Sequence, residues 1–409
     1  MKTLTSLFLF TFLTIIKIYP QQFGWVDISS RINTPATTNF SDVYFVSGSH
    51  GIVSAANQSE VYTTSDGGQS FTSHTVPNND FLNSVCMLNI SEYFGGSQNN
   101  RIYHSTDGGN TWVSLGSTGN PVRSVTCFPS SSTAYSCGDH GSSNSINSAG
   151  ITNLPTGLVS NLYSVSFPTS SEGWLCGGSI IRHFANGVWN ADQTYAAYSY
   201  NGICFVNNTN GWAVGDNGVI IRTIDGKNWV GQTNPDTQSP KRTLNDVCFL
   251  NSNEGWAVGN AGVILHTTDG GISWAIEADG LTTSLLRNVF FTSSTNGYIT
   301  GNEKTLLNYS QLTSIDDQTI RPDEIRLEQN FPNPFSNETG ISYSLAVPKQ
   351  VKLTVHTIYG NQVALLVNEF RPAGSYFVRF DGRDLPAGVY YIRLQSDDLT
   401  ETRKMIKTG

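Results

Sequence analysis

Charge is scarce in this sequence. Only 13% of the 409 residues are Asp, Glu, Lys or Arg, about half the usual share. A coiled coil or a solvated helical bundle needs many more, and a disordered chain needs fewer aromatics. Positive charge is not in excess either: the net charge is −8, which argues against a general binder of nucleic acid or anionic membrane. Past the first twenty residues there is no apolar run long enough to cross a bilayer. The 6 cysteines include no Cys-x-x-Cys pair, so zinc and dithiol redox motifs are missing. No Gly-x-Ser-x-Gly elbow marks a serine hydrolase.

What the chain does have is glycine and aromatic residues: 39 Gly, 8 Trp, 17 Tyr and 21 Phe. Short strands joined by tight turns use both. The length suggests two or three folding units.

The first segment reads as an export signal. Lys2 is followed by an apolar stretch from Leu4 to Ile16, then Lys17 and Pro20, the plan of a secretory signal peptide covering residues 1–20. As a helix that stretch would reach about 20 Å, short of a hydrocarbon core of roughly 30 Å. A retained anchor is the weaker reading.

Residues 21–311 repeat. One block holds Gly255-Trp256-Ala257-Val258-Gly259, Gly262-Val263-Ile264-Leu265, Asp269-Gly270-Gly271 and Trp274. The block before it has Gly211-Trp212-Ala213-Val214-Gly215, Asp225-Gly226 and Trp229. Earlier copies end in Asp66-Gly67-Gly68 with Phe71 and Asp107-Gly108-Gly109 with Trp112, and a worn copy has Gly173-Trp174 and Trp189. The block ends Phe71, Trp112, Ile151, Trp189, Trp229 and Trp274 lie 38 to 45 residues apart. Seven such blocks fit between Trp25 and Ser310, at about 41 residues each, and that period with several short strands per unit predicts a seven-bladed β-propeller. In each unit the third strand ends at the Asp-Gly-Gly turn and the fourth starts at the Trp. Glycine supplies the positive φ of the tight turn, and the aspartate can bond the turn's own N–H groups. Asp66, Asp107, Asp225 and Asp269 therefore read as structural turn clasps. No converging set of oxygen ligands suggests calcium, and no metal or cofactor is expected.

The pattern Ser105-Thr106-Asp107-Gly108-Gly109-Asn110-Thr111-Trp112, repeated in Thr267-Thr268-Asp269-Gly270-Gly271-Ile272-Ser273-Trp274, resembles the Asp-box of the bacterial neuraminidase repeat. With Gly-Trp-Ala-Val-Gly it is similar to the photosystem II stability and assembly factor type of propeller. The resemblance speaks to fold more than to function, because a different module follows.

Residues 312–325 are polar and read as a linker. Residues 312–409 carry 12 acidic and 11 basic side chains, whereas residues 21–311 carry 19 acidic against 10 basic. Alternating strands at 340–345, 351–357, 362–367, 376–380 and 389–394, with turns at Tyr359-Gly360-Asn361 and Asp381-Gly382, predict a small β-sandwich. Leu327-Glu328-Gln329-Asn330-Phe331-Pro332-Asn333-Pro334-Phe335, Asp381-Gly382-Arg383 and Leu385-Pro386-Ala387-Gly388-Val389-Tyr390-Tyr391 resemble the type A C-terminal sorting domain of the type IX secretion system. That resemblance implies the type IX secretion machinery as a partner. It also implies export through the periplasm to the cell surface or medium, with Arg403, Lys404 and Lys407 matching the family's basic end. An ordinary adhesive sandwich that stays attached is the plainer alternative.

Candidate chemistry is thin. Cys86, Cys204 and Cys248 share one repeat position and Cys137 and Cys176 another, so buried thiols are the default; a disulfide between Cys137 and Cys176 is the pair to examine. Three residues before the Asp of each clasp stand His104, Arg222 and His266, with Arg182 assigned to that place in the worn unit and Thr63 in the first. A propeller repeats each position about its axis, so these four could form a basic arc that contacts an anion or glycan. Tyr103 could stack on a sugar, though packing within a sheet is the plainer expectation. The expected function is a secreted or surface-displayed, non-enzymatic binding propeller with a protein or glycan ligand. A sialidase-like glycoside hydrolase would need clustered arginines and a Tyr–Glu pair. Only seven arginines, Arg31, Arg101, Arg123, Arg182, Arg222, Arg242 and Arg287, fall in residues 21–311. A self-associating structural surface protein is the third possibility.

Overall fold

The computed structural model describes residues 23–408 except 129–130, 191–197, 279, 312–324, 331–332, 346, 373 and 397–398. The expected signal peptide and most of the linker lie outside the described residues. The chain divides into two compact units, Met1–Leu312 and Thr313–Gly409.

Among the described residues the first unit contains seven four-stranded antiparallel sheets. In chain order we number them blades 1 to 7, spanning residues 40–75, 82–117, 122–153, 164–190, 200–231, 244–276 and 286–311. The inner strands, from Phe40–Phe45 through Leu286–Ser293, touch their neighbours in a closed circuit, and the last touches the first. Blade 7 takes its outer strand from the other end of the chain. Phe23–Asp27 pairs with Leu306–Gln311, with Phe23 opposite Gln311 and Trp25 opposite Tyr309. The first complete blade therefore begins at Phe40, not at Trp25.

The Gly-Trp motif has a steric cause. In blade 5 the inner-strand Phe205 lies over Gly211 on the adjacent strand, where a Cβ would meet the ring at 2.4 Å. The same Phe205 stacks on Trp174 of blade 4, with ring centroids 3.8 Å apart. Phe249 on Trp212 (3.5 Å) and Phe291 on Trp256 (3.6 Å) repeat the contact. Phe167 on Tyr135 and Phe45 on Tyr298 extend it. Glycine makes the gap, phenylalanine fills it, and the neighbouring blade supplies the second face. The second strand of blades 1 to 6 is accordingly buried along its length, and that of blade 7 from Gly297 onward, as a strand covered on both faces must be.

The cysteines follow the same layering. All six are free thiols. Cys137 packs with Leu162 and Leu175 between blades 3 and 4, whereas Cys176 packs with Tyr200 and Ile203 between blades 4 and 5. The two thiols face successive layers, so the disulfide considered from sequence is not formed.

The second unit pairs a three-stranded sheet with a four-stranded one. The first has the order Ile325–Leu327, Glu338–Leu345, Gly374–Asp381, and the second Gln362–Arg371, Lys349–Thr357, Gly388–Ser396, Leu399–Lys407. Ile341, Tyr343, Val351, Leu353, Val355, Ile392, Leu394 and Met405 fill the space between them. The Asn333–Phe335 segment clips the final strand: the Phe335 N–H donates to the Ile406 carbonyl at 3.0 Å, and the Ile406 N–H donates to Asn333 Oδ1 at 2.8 Å.

Candidate functional site

The four aspartates sit in near-identical turns. At Asp107 the carboxylate accepts the Thr111 N–H (2.8 Å) and hydroxyl (2.7 Å), and the Ser105 hydroxyl donates to it at 2.9 Å. Gly108 and Gly109 have φ of 74° and 85°. Asp66, Asp225 and Asp269 repeat the arrangement with Ser70, Asn228 and Ser273. Donors from Ser70 hold Asp66 down at about 2, and those from Ser273 do the same for Asp269. The turns also tie blades together. Trp174 Nε1 donates to the Gly226 carbonyl, Trp212 Nε1 to that of Gly270, and the Tyr298 hydroxyl to that of Gly67, at 2.9 to 3.2 Å.

The basic arc resolves differently from its sequence alignment. His104 pairs across the sheet with Phe94, Arg222 with Trp212 and His266 with Trp256. In blade 4 the partner of Trp174 is His183, and Arg182 stands opposite Leu175 instead. The turn in blade 4 is one residue shorter: Cys176 pairs with Ile181, where Val214 pairs with Ile220. Arg182 thus lies one residue off the arc, with Nη1 3.5 Å from the Asn190 carbonyl. Its place is taken by a residue that the alignment missed.

The three histidines lie flat against their aromatic partners, at 4.6 Å for His104, 4.4 Å for His183 and 4.3 Å for His266. Each faces a glutamate two residues before that aromatic: Glu92 at 3.1 Å, Glu172 at 3.3 Å and Glu254 at 3.8 Å. Blade 3 has Ser145 at this place, so the arc is interrupted. Arg222 stacks on Trp212 with its guanidinium carbon 5.4 Å from the ring centroid. It lines a groove of about 330 Å³ shared with Ile224, Val230, Gln232, Gly271 and Ile272. Tyr103 is fully buried, and its hydroxyl donates to Asp80 at 3.1 Å.

A second concavity, of about 240 Å³, is lined by the inner strands of all seven blades. Its wall carries a belt: Asp42, Ser84, Ser124, Ser164, Asp246 and Asn288, each just before a Val, while Gly202 takes the equivalent sequence place before Ile203 in blade 5. Side chains on this belt accept the N–H of the next blade. Asp42 takes Val85 N–H (2.9 Å), Ser84 takes Val125 N–H (2.9 Å), Ser164 takes Ile203 N–H (3.3 Å) and Asp246 takes Val289 N–H (3.0 Å). Burial pushes both Asp42 and Asp246 up to about 7, against the pull of these donors. A polar residue before Val at one spot in six of the seven repeats was the available signal for this belt. Arg123, Arg287 and Tyr163 also line the wall, and no glutamate does. Arg123 is tied to Asp139 at 2.8 Å and Arg287 to Asn302 at 2.7 Å.

In the second unit, Arg403, Lys404 and Lys407 share the final strand. Strand alternation puts Lys404 on the opposite face from the other two. Arg403 pairs with Glu401, Lys404 is exposed, and Lys407 is buried. They do not make one basic patch.

Residues 181–279 match the family model described as photosynthesis system II assembly factor YCF48, and residues 329–408 match the secretion system C-terminal sorting domain. Among solved structures, the chain is similar to "YCF48 bound to D1 peptide" at 22% identity, covering 70% of this chain and 96% of that one with a TM-score of 0.59. It is similar to YCF48 from Cyanidioschyzon merolae at 18% identity, covering 70% and 99%, with a TM-score of 0.58. An inactive virginiamycin B lyase from Staphylococcus aureus with quinupristin aligns at 13% identity, covering 71% and 99%, with a TM-score of 0.60. At these identities the likeness is one of fold. A comparison with curated proteins gave no match. The chain joins a YCF48-like propeller to a secretion-system sorting domain.

Proposed function

We propose that the chain is cargo of the type IX secretion system and that its propeller works at the cell surface or in the medium as a non-enzymatic binding module. The match of residues 329–408 to the sorting domain supports the export half. Secretory signal logic at residues 1–20 agrees with it, since such cargo first reaches the periplasm.

The binding half rests on one observation. Among the four basic side chains stacked on second-strand aromatics, Arg222 alone has no carboxylate among the described residues, and it borders an open groove. A sialidase-like site would bring arginines together around a Tyr–Glu pair. Here Arg123 and Arg287 line the axial concavity but are engaged with Asp139 and Asn302, Arg242 is engaged with Asp236 between blades 5 and 6, and Arg222 lies at the other groove. This dispersal favours recognition over hydrolysis.

Two measurements test the reading. In a host with a type IX system, the full chain should reach the surface or medium, and a chain ending at residue 325 should stop in the periplasm. Equal release of both would remove the export role. On an array of glycans and surface polymers, purified full-length protein should bind, and Arg222→Gln should bind less. Release of sugar from any arrayed glycan would replace binding by hydrolysis.

A further inference from the structure

Repeated blades supply their own control. Blade 6 surrounds His266 with two carboxylates, Glu254 at 3.8 Å and Glu277 at 3.9 Å. The equivalent places in blade 5 hold amides. Asn210 stands two residues before Trp212, where Glu254 stands before Trp256. Gln232 follows the fourth strand as Glu277 does: the Gln232 N–H donates to the Ile220 carbonyl and the Glu277 N–H to the Ile264 carbonyl, both at 2.8 Å. Both amides are turned to other work. Asn210 bonds Asn207 and Thr209. Gln232 accepts from Trp274 Nε1 at 3.2 Å and donates to the Gly270 carbonyl at 3.2 Å.

Blade 5 therefore substitutes a permanent cation for a histidine and removes both acids that would balance it. Arg222 makes no side-chain hydrogen bond among the described residues, and its Nε is buried without a partner. A buried donor left unmade costs about 1–3 kcal/mol, so the fold retains an unmet demand for an acceptor. Stacking on Trp212 holds the guanidinium plane in place, and a fixed planar fork suits a carboxylate. The groove it lines is rimmed by aliphatic side chains that water surrounds: Ile224 is 68% exposed, Val230 69% and Ile272 79%.

We propose that this groove between blades 5 and 6 binds an aliphatic carboxylate, with the acid on Arg222 and the alkyl group against Ile224, Val230 and Ile272. The proposal rests on the binding role above and names the ligand chemistry for it. A peptide C-terminus and a free short-chain acid both present that chemistry.

The test titrates full-length protein with N-acetyl-L-leucine, as the peptide terminus, and with hexanoate, as the free acid, by ligand-observed NMR. The neutral controls are N-acetyl-L-leucine amide and hexanamide. The expected result is saturable binding of at least one acid, with its amide weaker by about tenfold or more. Whichever acid binds more tightly identifies the source. Asn210→Glu restores the acid that blades 2, 4 and 6 already carry, so it keeps the fold while occupying Arg222 from within. It should abolish the binding, as should Arg222→Gln. No saturation by either acid, equal binding of acids and amides, or full binding by a folded Asn210→Glu protein overturns the proposal. The two readings fail separately. Array binding that survives Asn210→Glu, with no acid bound, removes the groove and leaves a binding propeller. Acid binding without any array ligand keeps the groove and removes the polymer-recognition role.

Discussion

Arg182 and His183 show how far a single residue can mislead. Counting back from an aspartate works in blades 2, 5 and 6, where the turn before the third strand has one length. In blade 4 the aspartate that fixes the count is missing, and counting forward from Gly-Trp fails too because the turn before the third strand is one residue shorter, so the assignment lands one residue off, on the wrong face of the strand. A one-residue slip reverses every side chain, and nothing local in the sequence records it. The turn aspartates were legible because their partners are four residues away at most. Replacing Asp107 with Ala removes the acceptor for Thr111 and Ser105. The expected cost is on the order of 1 kcal/mol for so exposed a turn, read as a lowered thermal midpoint. Asp66 gives a pH signature. Its carboxyl sits at about 2 when folded, below the ordinary 3.8, so its contribution is complete above about 4 and disappears as pH falls towards about 2. Asp66→Asn should flatten the acid limb of the stability curve over that window, and an unchanged limb would deny the clasp its role.

At the scale of the strand, the Phe–Trp stacks and the polar belt are the devices that join blade to blade. Both were half legible. The Gly-Trp pairs stood out as repeats, but which phenylalanine fills each gap depends on the neighbouring blade. Phe249→Ala leaves Gly255 uncovered and Trp212 without its second face. It should cost about 3–5 kcal/mol in urea unfolding, whereas Phe290→Ala on the channel side should cost less. The belt predicts a slope of the opposite sign to the turns. Asp42 and Asp246 are raised to about 7, so the folded chain holds their protons more tightly than the unfolded one. Their contribution is most favourable below the ordinary 3.8 and is lost as pH rises to about 7. Asn288 already fills the same belt position in blade 7, so Asp42→Asn with Asp246→Asn should fold. The double variant should gain on the order of a few kcal/mol over the natural chain at pH 8 and little at pH 4. Equal gains at both values would show that the carboxylates carry no such strain.

Across the whole molecule, period and turn chemistry were enough to anticipate an all-β chain with a propeller and a separate sandwich. Ring closure was not visible, because Trp25 and Tyr309 are distant in sequence and pair only in space. Trp25 is buried among Phe291, Ile299 and Tyr309. Deleting residues 23–27 from an otherwise intact chain should strip about 3–5 kcal/mol of aromatic burial. The truncated protein should unfold in a broadened transition at lower urea, and a sharp transition at the natural midpoint would mean that the clasp is dispensable.

The clasp also sets how the propeller yields to tension. Phe23 faces Gln311, so the entry and exit of the ring emerge from the same end of one antiparallel pair. A pull applied through those two points loads the ladder one rung at a time, not all rungs in parallel. The ring is then a zipper with its slider at the edge: durable against heat, which must disrupt whole blades, yet ready to part under a modest force drawn between its ends.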